Sequence, residues 1–487
     1  MSTRHRLPST LPILVFSGFL AALLLAACVS GTSTPAASVG VPAASASLTA
    51  STPKTPTPTS SAAVATTTSP SPAPPVSARP IVIDSLHDLQ VIFKEIRMAA
   101  PAIAQSRADE LWRTLVGEQR VPLMLGTQVV FFYKGQAQQV NWRGSFNSWS
   151  TPGLDGVRIG QTDLWIGLLE LPEASRAEYK IILNNKDWIV DPVNPNTTFN
   201  GLTGVNNVVA LPGFIVTDES QKRSDVTPGT LNGSLSITSR YLGYTVNYWV
   251  YTPVGYEKLT QLPVLYVLDG NDFVDERMGA LPNILDNLIA SGRIRPVLAV
   301  FVDAREPGNT QHNRREDEFL VHPVEHARFI AEELVPAIDH AYRTDPRPTA
   351  RVITGVSYGG LSAIFIAVAQ SNVFHNVAAF SPSLWVLDSP QYLTDSKQVE
   401  GSRLMLPPVQ AATQCGGDTG FACPRFPMKV FLTVGLAGWD VGDFSSLAAT
   451  LEQQGYPVEF HQVREGHTWD HWRGLSDEML IYFFGSR

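Results

Sequence analysis

Residues that can activate a serine hydroxyl occur in a fixed order along the C-terminal half of this chain. Ser357 stands between glycines in Gly355-Val356-Ser357-Tyr358-Gly359, two acids follow in LAGWDVGD (Asp440 and Asp443), and His467 comes last, in EGHTWDHW. A hydroxyl is a poor nucleophile until a neighbouring base takes its proton, and the base needs an acid to hold its ring in one orientation. A set of this kind performs acyl transfer. The same C-terminal stretch admits another chemistry, because His467 and His471 are four apart and could hold a metal. That site needs a third ligand, and HTWDH is not the HExxH pattern of helical zinc sites. No metal and no cofactor are expected.

A nucleophile of this type needs a sharp strand-to-helix turn. VITGV is apolar, and the small-residue run GGLSAIFIAVAQS follows Tyr358. Around it, PVLYVLDG, PVLAVFVD, NVAAFSPS, KVFLTVG and PVEFHQV are short apolar runs of the kind buried on both faces. They alternate with amphipathic segments such as LPNILDNLIASG and EHARFIAEELVPAIDHAY. The pattern predicts an α/β domain over 237–487 with a mostly parallel sheet and helices on both faces. Asp440 lies in the loop after KVFLTVG, and His467 lies just past PVEFHQV. Asp443 directly precedes FSSLAATLEQQG and reads as that helix's N-cap, which ties up its carboxylate. Asp440 is therefore the preferred acid and Asp443 the alternative. His471 falls in the closing helix.

Upstream the composition changes several times. Residues 1–28 have a short basic start and an apolar run, the form of a secretory signal. Residues 29–80 are Ala, Ser, Thr and Pro with almost no charge, a composition that buries no core and serves as a tether. Helical spacing in LHDLQVIFKEI and ADELWRTLV predicts two short helices within 81–122. From 123 to 215, β-branched and aromatic runs separated by turn residues predict a small all-β sandwich, and 216–236 is a polar linker. The net charge of −8 is mild and gives no sign of nucleic-acid binding.

LAAC, ending at Cys28, resembles the lipobox of bacterial lipoproteins. The resemblance implies cleavage before Cys28, a lipid on its sulfur, and a folded part anchored to a membrane outside the cytoplasm. Two further cysteines, Cys415 and Cys423 in QCGGDTGFAC, can form one disulfide in an exported protein.

LPVLYVLDG, NLIASGRIRPVLAVFVD, FIAEELVPAIDHAYRTD, VITGVSYGGLSAI and EGHTWDHWR together resemble the esterases related to enterochelin esterase and esterase D, which include feruloyl esterases and mycobacterial mycolyltransferases. The resemblance implies the α/β-hydrolase fold, in which nucleophile, acid and histidine follow in this chain order. It implies a serine esterase with Ser357 as nucleophile and His467 as base, and with the backbone N–H groups of Tyr358 and Asn271 as oxyanion donors. Glu465 departs from the pattern, since relatives commonly carry glycine there. Upstream, FFYKGQAQQVNWRGSFNSWS, TDLWIGLLEL, AEYKIILN and DPVNP resemble the immunoglobulin-like domain that precedes the hydrolase in enterochelin esterase relatives. That domain is itself similar to carbohydrate-binding modules.

Three tryptophans in that region, Trp142, Trp149 and Trp165, could form a sugar platform. Arg314 and Arg315, in the loop after AVFVD, could hold a carboxylate, phosphate or catecholate. The expected partner is a small-molecule ester, a siderophore or an acylated sugar, with the membrane reached through the lipid. Acyl transfer to a sugar or lipid, and a non-catalytic surface-binding role, are the competing readings.

Overall fold

The computed structural model describes residues 80–150, 153–201, 204–215, 219–388, 428–437, 442–453 and 455–486. The expected leader and tether, with Cys28, and also Cys415, Cys423 and Asp440, lie outside the described residues. Among those residues, no helix is long and apolar enough to cross a membrane.

The described chain opens with two helices, Leu86–Met98 and Pro101–Gly117. Ser85 caps the first by accepting from the Asp88 N–H, and Pro101 starts the second, where a missing N–H costs nothing. Their apolar stripes, Leu89, Ile92, Phe93 and Ile96 on one and Ala104, Ala108, Leu111 and Leu115 on the other, pack on Leu123, Val130, Phe132 and Leu164.

Two antiparallel sheets follow. One joins Leu123–Leu125, Gln128–Lys134, Leu164–Glu170 and Val157–Arg158. The other runs in the order Leu154–Asp155, Val140–Gly144, Arg176–Leu183, Val205–Ala210 and Thr197–Phe199, with Asp187–Ile189 also on Arg176–Leu183. Because successive strand side chains face opposite ways, Phe131 from the first sheet and Val140, Trp142, Tyr179 and Ile181 from the second meet in one core between them.

The third sheet has eight strands in the order Thr230–Thr238, Thr245–Thr252, Leu298–Val302, Val264–Val267, Arg351–Val356, Asn376–Phe380, Lys429–Gly435 and Val458–Val463. It is mixed. Its last five pairings are parallel, whereas Thr230–Thr238 and Thr245–Thr252 form an antiparallel hairpin that enters against Leu298–Val302. Neighbouring residues of the central strands serve different cores. Val264, Tyr266, Val300, Ile353, Val377 and Leu432 pack under Phe329–Leu334 and Tyr358–Ala369. Leu265, Val267, Phe301, Val352, Ala378 and Phe431 pack under Leu281–Ala290 and the closing helices Trp469–Gly474 and Ser476–Phe484. Burial on both faces is the reason these strands read as continuous apolar runs.

The six-stranded sheet abuts the end of the last strand, Val458–Val463. The Arg176 N–H donates to Arg464 O at 2.9 Å, and the Arg464 guanidinium donates to Glu173 O at 2.6 Å. Beside this seam Glu178 is buried, with Asn206 Nδ2 donating to its carboxylate at 2.7 Å. Burial pushes its carboxyl up to about 7, with Asn206 pulling it down and Asp470 adding to the rise.

A folded pKa above the unfolded 4.5 means that the folded chain holds the extra proton between those values, so this group's contribution to stability falls as pH rises from about 4.5 to about 7. Glu178→Gln keeps an acceptor for Asn206 and removes the titration. Denaturant melts should show the variant gaining on the parent with rising pH, by up to roughly 3 kcal/mol above pH 8 at 1.36 kcal/mol per unit. A constant difference from pH 4 to 8 would refute the assignment.

Candidate active site

Ser357 follows the strand Arg351–Val356 and immediately precedes the helix Tyr358–Ala369. Its φ of 56° and ψ of −119° put it in backbone that a non-glycine residue rarely adopts. The surroundings hold it there. Its N–H donates to Phe380 O at 2.9 Å, and its carbonyl accepts from the N–H groups of Leu361 at 3.0 Å and Ser383 at 3.1 Å. The flanking glycines are required sterically. A Cβ on Gly355 would overlap Gly359 O, and one on Gly359 would lie 2.6 Å from Asp269 Oδ2. Ser357 Oγ, half-buried, stands 3.2 Å from Ser383 Oγ.

Asp269 lies two residues past the neighbouring strand Val264–Val267, with φ 54°, and leads into the short helix Gly270–Val274. Its contact with Gly359 brings two helix starts together, those that begin at Gly270 and at Tyr358. The first N–H groups of a helix have no intrahelical acceptor. The N–H groups of Asn271 and Tyr358 belong to these first turns, and Ser357 directly precedes the second.

Asp269 is buried, and burial pushes its carboxyl up while Arg315 opposes the rise. Arg315 Nε donates to Asp269 Oδ1 at 2.8 Å and its terminal NH2 donates at 2.8 Å to the carbonyl of Val356, the residue just before Ser357. Its guanidinium also faces the rings of Phe319 and Tyr358 at 5.7 and 5.2 Å. Arg314 points elsewhere, donating to Thr245 O at 3.1 Å and lying 4.0 Å over the Tyr244 ring. Both arginines are thus engaged by the protein, and Arg315 braces the serine turn.

His467 follows the edge strand Val458–Val463. Its ring meets Trp472 edge-on at 4.9 Å, and Trp472 Nε1 donates to Ser381 Oγ at 3.3 Å. Ser381 adjoins Phe380, whose carbonyl holds the Ser357 N–H, so histidine and serine share one end of the sheet. The residue keeps partial solvent exposure, but its surroundings are dense. Burial first, then His471 and Arg315, push its imidazole down to about 3, leaving it neutral at pH 7. His471 is fully buried in the helix Trp469–Gly474, with Nδ1 3.2 Å from Gly466 O.

Asp440 lies outside the described residues, as does the side chain of Asp443. The helix at that point runs Gly442–Gln453, so Asp443 sits inside its first turn, not at the cap that its sequence context suggested.

The tryptophan platform also needs correction. Trp142 and Trp165 face the core between the two sheets and are buried, whereas Trp149 stacks on Trp188, with centroids 6.3 Å apart. Trp188, 45% exposed, was missed because it sits in the three-residue strand Asp187–Ile189, too short for alternation to declare its face. Asp269 and Ser383 were missed as well. A carboxylate directly after an apolar strand, in LYVLDG, was the available signal for the first.

With this geometry in place, the chain can be assigned: it belongs to the esterase family described as "Putative esterase", which matches residues 239–483. The chain is 27% identical over 231 residues to the iron(III) enterobactin esterase of Dickeya dadantii (strain 3937), a match that covers 46% of this chain and 48% of that protein. It thus spans about half the length of that relative. Crystal structures of enterobactin esterases from Shigella flexneri and Salmonella typhimurium share its fold, with TM-scores of 0.55 and 0.56, each at 19% identity over 73% of this chain and 92% and 93% of theirs.

Removing one partner of a buried ion pair leaves the other charge uncompensated and costs about 3 kcal/mol or more. Arg315→Ala should therefore destabilise the chain by about that amount in denaturant melts. Adding Asp269→Asn should recover part of the loss. A loss under about 1 kcal/mol would show that the Asp269–Arg315 pair does not brace the turn.

Proposed function

We propose that this chain is a serine esterase in which Ser357 is the nucleophile and His467 the general base, with an aspartate, Asp440 ahead of Asp443, orienting the imidazole. The observation that carries the reading is the strained backbone of Ser357, held between two helix starts at the sheet end that also carries His467. Strain of this kind persists where it serves a site.

In the reaction, Ser357 Oγ attacks the ester carbonyl carbon and its proton passes to His467. The developing oxyanion is met by the N–H groups of Tyr358 and Asn271. The carbonyl–alkoxy bond then breaks, and the leaving alcohol takes the proton from His467. Water attacks the acyl-enzyme, His467 takes a proton from it, the acid departs, and Ser357 regains its hydrogen.

The substrate class best supported is an ester of the siderophore kind, because the named relatives are enterobactin esterases. A second reading, an acylated sugar, has in its favour the exposed Trp188 stacked on the half-buried Trp149, since stacked indoles suit a sugar face. Two antiparallel sheets around one core, standing before the hydrolase, support reading 123–215 as an immunoglobulin-like domain. The lipobox-like LAAC supports a lipid anchor at Cys28.

Ser357→Ala and His467→Ala should each abolish hydrolysis of p-nitrophenyl acetate almost completely, because the members of a triad act as a unit. His471→Ala should keep most of it. Asp440→Asn should cut turnover by orders of magnitude, on the order of 10⁴ in the best-studied triad, and Asp443→Asn should do little. The reverse pattern in the two aspartates would exchange their roles, and equal loss in both histidine variants would undo the choice of base. For the anchor, Cys28→Ser should release the protein from membranes; unchanged membrane association would rule an acyl anchor out.

A further inference from the structure

Glu465 lies in the seam between the six-stranded sheet and the loop that carries His467. Glu465 precedes His467 by two residues and Asp470 follows it by three. Both carboxylates turn to the same side chain, Arg176, at the start of the strand Arg176–Leu183. Arg176 Nη1 lies 3.9 Å from Glu465 Oε2, and its other terminal nitrogen forms an ion pair with Asp470 Oδ2, which sits beside the Asp470–Arg473 pair. The three side chains are only 11%, 9% and 8% exposed. Little water screens them, and their pairing is worth more than that of surface charges.

The backbone of the same loop is held from two sides. On the sheet side, the Ala437 N–H donates to Glu465 O at 3.0 Å, and a Cβ on Gly435 would lie 2.5 Å from Gly466 O. On the other side, Gly466 presses on the six-stranded sheet so closely that a Cβ there would overlap Ser145. Ser145 is itself tied down, its hydroxyl accepting from the Glu178 N–H at 3.1 Å. The loop of His467 is thus clamped between the end of Lys429–Gly435 and a surface that belongs to the N-terminal half of the chain.

We infer that Arg176 is a positioning residue for His467. By holding Glu465 and Asp470 together it sets the loop between them, and the two-sheet region is thereby a working part of the esterase site. The inference rests on the serine esterase reading above. Arg176 touches neither substrate nor reacting atoms; it acts through the geometry of the base. A misplaced base slows the proton transfers without altering how substrate is held, so the effect belongs in kcat and not in KM.

The test uses the full chain and three variants, Arg176→Ala, Arg176→Lys and Glu465→Gln. Measurements are kcat and KM for p-nitrophenyl acetate, the rate at which a fluorophosphonate labels Ser357, and the melting temperature. At a temperature well below every midpoint, Arg176→Ala should lower kcat 30-fold or more, leave KM within about twofold, and slow labelling in parallel. Arg176→Lys, which keeps the charge but not the fork, should recover part of this. Glu465→Gln, which keeps the shape and loses the charge, should lower kcat three- to tenfold.

A lower melting temperature with kcat and labelling unchanged would make Arg176 a structural residue and overturn the inference while leaving the esterase reading intact. Should Arg176→Ala fail to fold, unchanged kcat in both Arg176→Lys and Glu465→Gln overturns it equally. A parent protein inert to both ester and probe, or a His467→Ala variant with full activity, overturns the reading beneath it and this inference with it.

Discussion

At the ends of three adjacent parallel strands the backbone takes a left-handed turn at a residue that is not glycine: Asp269 at φ 54°, Ser357 at 56° and Ser381 at 43°. Each such residue costs on the order of 1–3 kcal/mol and survives only where its surroundings leave no alternative. Here the surroundings are the sheet itself, whose central strands are buried on both faces and cannot shift to relax their ends. The three turns depend on one another. Phe380 O, just before Ser381, holds the Ser357 N–H, and Asp269 lies against Gly359 in the first turn after the serine. All three sit at the same end of the sheet, so the strain is concentrated there.

Around that edge, buried charge does the orienting. Asp269 is out of water and Arg315 answers it, and the same guanidinium reaches the carbonyl of Val356, so one planar fork ties the turn of one strand to the end of the next. Arg176 occupies a comparable position at the other end of the site, between the carboxylates that bracket His467. In both places the arginine lies between segments far apart in the chain. Such pairs contribute little net stability over an apolar alternative, whereas losing one partner leaves a buried charge uncompensated and is costly.

What could be read from residues alone was what depends on local order. The strand, turn and helix around Ser357 follow from an apolar run, two glycines and a stretch of small residues, because only that composition permits the turn. The alternation of apolar runs with amphipathic segments gives the layers of the large sheet, since burial on both faces leaves a continuous signature. The motif set from 237 onwards likewise pointed to the esterase family that the chain belongs to.

Only the tertiary structure decided which charged and aromatic side chains meet. Arg314 and Arg315 are neighbours in sequence and look equivalent, yet one lies over Tyr244 and the other braces the serine, because adjacent residues leave a chain in different directions. Trp142 and Trp149 look alike too, but the pleat turns the first into the core, while the second finds Trp188 from a distant hairpin. The antiparallel hairpin that makes the sheet mixed, and the clamp of Arg176 on a loop almost three hundred residues away, have no local signature. The physical reason is the same in each case: a pairing energy depends on distance through space, and sequence separation does not carry it.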